Sequence, residues 1–548
     1  MKKLAGVQRP KRGMALILTM LIVLVMLVLV GSMLSIITGE LSSVSFAGFD
    51  NRALYSADAG VQFAQQQIDN YAANNATPPP GSTWTQTLPA DPSGKTATFT
   101  VVMDPTPYLR NGNLYYLVHS EGKAPGGGDR KVDAILEVQS YTHYAYYTYQ
   151  NANGNYFVSG INSFDGPVYL QGTNNKLNFQ WYNINKPIFL STAIIAGNYG
   201  FSPSAPTTNS QWTQVIAGGS ASLTQTTTAG YVSYPPIGST YIAANQAFNG
   251  TSGASSLPAP ATKDVYMNGG LAKSGSGALT SGIFINGNVN ISMASTTATN
   301  EIFTFTPVTA AELVPYNSSY TGDNTNTIPY TVTITVDYGA NTTKVLENGT
   351  TVTYTGVPQN QPTGSTATQN GSIFVNGNVD SISGVLNGQY TIAVPDIQTS
   401  STTNVDDIVV TNNITYKADP TLGASDDVLG LMCDNFNLGP ASITPSVLKI
   451  QSDIIAGNQY EALHNQTDGG FGTVDSVGSL PLKTSVNIYG SLVQNEVKPL
   501  GQFSSGSGLL IKGWSDTYNY DTRQMTPPDW PTLGTGLVAW KDAGSPIY

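Results

Sequence analysis

Two adjacent acid pairs, Asp406-Asp407 and Asp426-Asp427, are the residues of this chain best suited to doing chemistry. Lyases and glycosidases of β-rich architecture use paired carboxylates as general acid and base, in some cases with calcium. Neighbouring residues on a strand point to opposite faces, so neither pair makes a site by itself, and solvated strand ends account for both. The three histidines, His119, His143 and His464, lie far apart without a metal-ligand spacing. No nucleophile elbow or phosphate-cradling glycine loop is present in the sequence. Cys433 is the only cysteine, so no intramolecular disulfide forms, and beside Leu431 and Met432 it reads as a small core hydrophobe. These residue types give no catalytic residue, no metal site and no cofactor.

A different kind of signal lies at Lys11-Arg12-Gly13-Met14. Residues 1–13 hold five basic residues (Lys2, Lys3, Arg9, Lys11, Arg12) and no acid, and the 26 residues from Met14 to Gly39 carry no charge. A membrane-spanning helix needs about 20 apolar residues, so this run is long enough. The basic head keeps the N-terminus cytoplasmic and sends the rest of the chain across the membrane. An ordinary secretory signal fits poorly: its apolar region is about 7 to 15 residues and ends in a small-x-small site. Here the run is longer, and the small residue, Gly13, precedes it.

The arrangement resembles a type IV prepilin leader. Downstream, Arg52-Ala53-Leu54-Tyr55-Ser56-Ala57-Asp58-Ala59-Gly60-Val61 is similar to the N-terminal segment of PilX-type minor pilins and the K-type pseudopilin of type II secretion. The match covers about residues 8–72. It implies cleavage by a prepilin peptidase between Gly13 and Met14, a methylated Met14 as the new N-terminus, and assembly with other pilins or pseudopilins through the N-terminal helix. The Ala57, Asp58, Ala59, Gly60 string carries the resemblance with the leader. One departure matters: major pilins carry a glutamate five residues into the mature chain, and this sequence has Leu18 there. In those families the acid is thought to pair with a neighbouring N-terminal amine, a charge costly to bury alone. Leu18 therefore points to a priming or tip position over a repeated shaft unit. The competing reading is a signal-anchored membrane protein whose helix stays in the bilayer.

The chain has 23 basic and 34 acidic residues, a net charge of −11, and without the five leader bases the acid excess grows, so nucleic acid is not an expected partner. Only 10% of residues are charged, and 30 are tyrosine. Abundant Gly, Asn, Thr and Ser suit short strands joined by tight turns.

After the membrane run, Leu54, Ala57, Val61, Ala64 and Ile68 recur at spacings of three and four. That places them on one stripe of a continuing helix, over 14–72 with the membrane part at 14–39, until Pro78-Pro79-Pro80 stops it. Such a helix measures about 90 Å. Strand-like runs at 96–103, 114–120 and 131–140, separated by Gly, Pro and Asn, predict a small antiparallel pilin-like sheet over 90–140.

From residue 150 the chain repeats itself. Ile283-Phe284-Ile285-Asn286-Gly287-Asn288-Val289 recurs ninety positions later as Ile373-Phe374-Val375-Asn376-Gly377-Asn378-Val379. Ile194-Ile195-Ala196-Gly197-Asn198 recurs at 454–458, and Val486 to Val493 shares the rhythm. Alternation puts Ile283, Ile285, Val289 and Ile291 on a core face and Asn286, Asn288 and Asn290 on a wet one, with Phe284 the exception. Short strands with Gly and Asn corners suggest a parallel β-helix over 150–535, with β-sandwiches the alternative. Inserts fall near 202–263 and 294–366, the second with its own strands, since Val332, Ile334 and Val336 alternate with threonines. Residues 536–548 read as a C-terminal tail. The fold class expected is α+β: a long N-terminal transmembrane and amphipathic helix with a small antiparallel sheet, then a large all-β domain.

The stretches at 427–432, 454–458, 489–494 and 520–531 resemble an uncharacterised β-rich domain family found behind PilX-type leaders, which implies an envelope or surface location and offers no known chemistry. Within it, Tyr520, Asp521 and Arg523 read as a structural cap in which Arg523 pairs Asp521 or a strand carbonyl. Two functions follow. One is a minor pilin-like subunit, single-pass in the inner membrane and at the bacterial cell surface or pilus after assembly, displaying a β domain for adhesion to a glycan or surface ligand or for filament priming. The other is a membrane-tethered β-helix polysaccharide lyase or glycoside hydrolase.

Overall fold

A computed structural model of the chain describes residues 12–73, 81–90, 94–104, 108–110, 113–125, 127–140, 144–151, 156–181, 186–202, 204–226, 262–267, 270–272, 277–279, 282–309, 327–358, 370–394, 407–422, 425–457, 469–504, 507–525 and 535–542. One helix, Arg12–Ala73, runs unbroken through the apolar segment and beyond it. Its first part is long and apolar enough to cross a membrane, and from Leu16 to Leu41 the described side chains are exposed.

The second part docks. Ala53, Ala57, Val61, Ala64 and Ile68 are buried at spacings of four, four, three and four. The stripe expected from the sequence is therefore corrected at its first position: Leu54 is 42% exposed and Ala53 takes its place. The reason is the closeness of approach. A Cβ added to Gly122 would lie 2.1 Å from the Ala53 carbonyl oxygen and 2.4 Å from the Ala57 nitrogen, so strand backbone touches helix backbone and a leucine has no room.

Under this face lies a small antiparallel sheet ordered Thr83–Thr87, Thr98–Met103, Asn113–Lys123, Asp129–Ser140 and Thr535–Asp542, with Tyr108–Arg110 paired to Asn113–Lys123. Phe99, Val101, Met103, Tyr116, Val118, Ala134 and Leu136 form its core with the helix. The sheet begins earlier than 90, and its last strand comes from the stretch that the sequence alone leaves as a tail. Asp129–Ser140 would otherwise present an open edge, which Thr535–Asp542 fills in register from Ser140 to Ala134.

The remainder is mostly strand, and its long-range pairing is largely parallel. One run of neighbours reads Leu223–Thr226, Ala193–Ser202, Val168–Gln180, Tyr146–Asn151, Leu492–Val497, Asp453–Ala456, Val428–Cys433, Gln389–Val394, Asn370–Asn376 and Ile283–Asn286. A single register position threads it: Leu223, Ala193, Val168, Tyr146, Leu492, Ile454, Leu431, Ile392, Ile373 and Ile283. All but Leu223 are buried in one core. The two copies of the ninety-residue repeat stack directly, Ile283 on Ile373 through Asn286 on Asn376, with Phe284 and Phe374 rings stacked at 5.3 Å. Equal residues on neighbouring strands give continuous aliphatic ladders with few voids.

The path through this stack is not monotonic. The chain leaves the small sheet and enters in the middle, at Tyr146–Asn151, then builds outward through Val168–Gln180, Ala193–Ser202 and Leu223–Thr226. It resumes at the opposite end with Asp264–Met267, antiparallel to Ile283–Asn286, and returns strand by strand to Leu492–Val497. There it meets Tyr146–Asn151 from the other side, while Leu510–Tyr520 meets Asn162–Asp165. The first and last strands of this stack are thus neighbours, and both ends of the chain within it lead into the small sheet.

The second insert is an antiparallel excursion: Val289–Ala294, Asn300–Thr306, Val332–Asp337, Thr342–Glu347 and Thr350–Thr355 pair in turn. Val332, Ile334 and Val336 are fully buried, as their alternation predicts. Asn341 and Asn348, with φ of 49° and 46°, make its turns in the left-handed region that Asn tolerates. Of the first insert, Asn209–Val215 is a short helix opened by a Thr208–Gln211 capping box, and 227–261 lie outside the described residues.

The asparagine face is a second correction. Asn286 and Asn288 are each 1% exposed and not wet. Asn376 Nδ2 donates to Asn286 Oδ1 at 2.7 Å, and the Asn378 amide donates to Asn288 Oδ1 at 2.9 Å. The Asp407 amide then donates to Asn378 Oδ1 at 3.0 Å, Asn435 Nδ2 to Asp407 Oδ1 at 3.0 Å, and the Gly469 amide to Asn435 Oδ1 at 3.1 Å. Amides at the strand ends are satisfied by side chains of the neighbouring parallel strand, which is why polar residues recur there.

Candidate functional site

Gly13 and Met14 lie in the first turns of the long helix, and Leu18 projects from it, 60% exposed among apolar neighbours that are exposed as well. The Ala57-Asp58-Ala59-Gly60 string falls on the docked part. Ser120 Oγ donates to the Ala57 carbonyl at 2.7 Å, and Ser56 Oγ donates to the Thr98 carbonyl at 2.7 Å. A Cβ on Gly60 would sit 2.2 Å from Ser120 Oγ and 2.8 Å from Val101 Cγ2. The small residues of the string are therefore what lets the helix lie directly on the sheet. Asp58 and Ala59 stand half-buried at the margin.

The tempting acid pairs are not gathered into a site. Asp406 lies outside the described residues, Asp407 belongs to the corner ladder, and Asp426 is exposed. Asp427 accepts from the Gly388 amide at 2.7 Å and the Ala418 amide at 3.0 Å, so it caps a corner, and burial pushes its carboxyl up. Arg523 makes the Asp521 pairing read from the sequence, while the carbonyl it reaches belongs to Ser425 in the loop before Val428–Cys433 and not to a strand. Its Nε donates to Asp521 Oδ1 and Oδ2 at 2.9 and 3.0 Å, and its Nη1 donates to the Ser425 carbonyl at 2.8 Å. Cys433 is buried, and burial drives its thiol upward, away from reactivity. His119 lies between Asp133 (Nδ1 at 2.7 Å) and Asp104 (Nε2 at 3.3 Å) on the small sheet, and the Asp133 hydrogen bond raises its pKa. His143 and His464 lie outside the described residues. Among the described residues no group of three His, Cys, Asp or Glu side chains is placed to hold a metal ion.

A concave site lies where Tyr146–Asn151 and Asn162–Asp165 meet Leu492–Val497 and Leu510–Tyr520. A cavity of about 410 Å³ is lined there by Tyr146, Phe157 and Asn162 from the start of the β domain and by Gln494, Trp514 and Asp516 from its end, among others. Parallel register places Asp516 opposite Asn162, whose Nδ2 donates to Asp516 Oδ1. Tyr518 Oη donates to Asp516 Oδ2 at 3.0 Å, and the Val158 amide donates to Asn162 Oδ1 at 2.6 Å. Gln494 is fixed from both ends, its Oε1 accepting from the Phe471 amide at 2.9 Å and its Nε2 donating to Tyr146 Oη at 2.6 Å. Tyr146 is the one aromatic in the aliphatic ladder described above, and it packs against Phe164 at 4.6 Å and Tyr518 at 4.9 Å.

Burial pushes the Asp516 carboxyl up to about 6, while the Asn162 and Tyr518 donors pull it back. The sequence marks none of these residues as a site, although Gln494 ends the 489–494 stretch that carries the second resemblance. They come from stretches more than 300 positions apart with no shared motif, and the strand rhythm at 486–493 and the resemblance over 489–494 touch only one side of it. No protein-family model, curated protein or solved structure matches the chain.

Proposed function

We propose that this chain is a minor pilin-like structural subunit of a type IV pilus or type II secretion-like filament, in which the processed helix is the handle of a large displayed β domain. The observation that supports the reading is one helix with two environments. Its first part is uncharged and exposed, fit for a bilayer or for a bundle of like helices, and its second part is clamped to its own sheet by Ala53, Ala57, Gly60 and Gly122. The leader, Leu18 and the Ala57 to Gly60 string add the resemblance to PilX-type pilins. In this reading the peptidase acts at Gly13-Met14, the chain starts single-pass in the inner membrane, and it reaches the surface on assembly. We read the β domain as a parallel β-helix because its core ladders run through parallel pairs, whereas a sandwich needs hairpins throughout.

Acid–base hydrolysis of a polysaccharide needs a second carboxyl group beside the first. Asp516 is the one carboxylate lining the seam cavity among the described residues, so no specific observation favours the enzyme. The test is fractionation of cells expressing the chain with its filament system. Sheared filaments should carry the chain, and its confinement to the membrane fraction with filaments present would overturn the reading.

A further inference from the structure

We propose that the seam cavity is a binding site for a neutral saccharide, the ligand by which the displayed domain holds a surface; the proposal rests on the display reading above. The volume, about 410 Å³, lies in the lower part of the roughly 300–1,000 Å³ range of small-molecule sites, with room for a mono- or disaccharide. The cavity is open on one side, where its wall is made of the exposed residues Gly478, Pro499 and Gln502.

The lining selects the chemistry. Its buried wall includes the aromatic side chains Phe157, Tyr146, Trp514 and Tyr518, apolar surface beside which the C–H groups of a sugar ring can pack. Its polar groups are a carboxylate (Asp516), amides (Asn162, Gln494, Gln502) and one ammonium (Lys498), which together bring one negative and one positive charge. A site without net charge gives no advantage to an ionic ligand. Mixed donors and acceptors beside aromatic side chains match a polyhydroxylated one instead.

These groups are also held in place before any ligand arrives. Asn162 and Gln494 each accept from a backbone amide, and Asp516 is gripped by Asn162 and Tyr518. A carboxylate has about four acceptor sites and a primary amide two donors and two lone pairs, so Asp516 and Gln494 keep capacity for ligand hydroxyls. Groups ordered in advance lose little entropy on binding. The site also spans the meeting of the start and the end of the β domain, so it exists only when the two are joined.

The test uses the full chain in a detergent without a sugar headgroup. Saturation-transfer NMR is run with cellobiose, maltose, lactose and N,N′-diacetylchitobiose, followed by titration of any binder. We expect transfer to at least one disaccharide. Asp516→Asn should weaken it about tenfold, the size of one lost charge-assisted hydrogen bond. Gly478→Leu, at a position where an added Cβ meets only Ser476 Oγ at 3.9 Å, should obstruct the entrance without straining the fold. It keeps the question answerable if Asp516→Asn fails to fold. No transfer to the folded wild-type chain, or binding indifferent to both substitutions, overturns the proposal. A chain correctly cut before Met14 that binds none of the sugars removes this site and leaves the filament reading standing.

Discussion

Asn162 and Asp516 stand 354 residues apart in the chain and opposite each other on adjacent parallel strands, joined by a side-chain hydrogen bond. That contact ties the start of the β domain to its end, Asn162–Asp165 being held by Leu510–Tyr520. Asn162→Ala leaves the buried Asp516 with one donor fewer, and we expect a loss of about 1–3 kcal/mol in denaturant unfolding. Hydrogen exchange should rise first in 156–165 and 510–520, the strands that meet there.

The helix register gives a sharper contrast. Gly122→Ala should destabilise the helix-sheet unit by about 1–3 kcal/mol, because its Cβ would meet the Ala53 and Ala57 backbone. Leu54→Ala, at an exposed position, should stay within about 0.5 kcal/mol. Thermal melts with limited proteolysis of the helix check both, and equal effects would show the register to be wrong.

Glu301 supplies a pH dependence. It is fully buried, and burial pushes its carboxyl up from about 4.5 to about 9, with the Asn387 amide pulling it down and Asp427 adding to the rise. The folded value lies above the unfolded one, so the protonated form is favoured in the fold. Nothing is lost below about pH 4.5, and stability then falls as pH climbs toward about 9. Glu301→Gln should melt like the wild type at pH 4 and at a higher temperature at pH 8. A difference in melting temperature that is constant across pH would contradict this.

Arg523 covers an almost fully buried Asp521 and reaches the Ser425 carbonyl. Arg523→Ala leaves that buried carboxylate without its counter-ion, with an expected loss of about 3–5 kcal/mol in urea unfolding. Arg523→Lys should recover only part of it, since the planar fork that grips both Asp521 oxygens is gone.

The sequence made local periodicity and exact repetition legible. The helix showed through its 3–4 spacing, missing by one residue because alanine at 53 reflects close approach and not burial of bulk. The copies at 283–289 and 373–379 stack because like residues ladder best on one another. The asparagines looked wet because their polarity was visible and their partners, on the neighbouring strand, were not. The seam was illegible for a stronger reason: Tyr146 and Leu492 pair across the whole domain, and no spacing along the chain records where a strand stack is entered. Thr535–Asp542 escaped likewise, since its partner lies some 400 residues earlier, at Asp129–Ser140.

The central claim is that the long helix is a processed filament handle, and the N-terminus tests it most directly. The full chain is expressed with its cognate prepilin peptidase, and the N-terminal residue of the membrane and filament fractions is sequenced. A chain beginning at Met14 is the predicted result; one still beginning at Met1 in the presence of active peptidase contradicts the account.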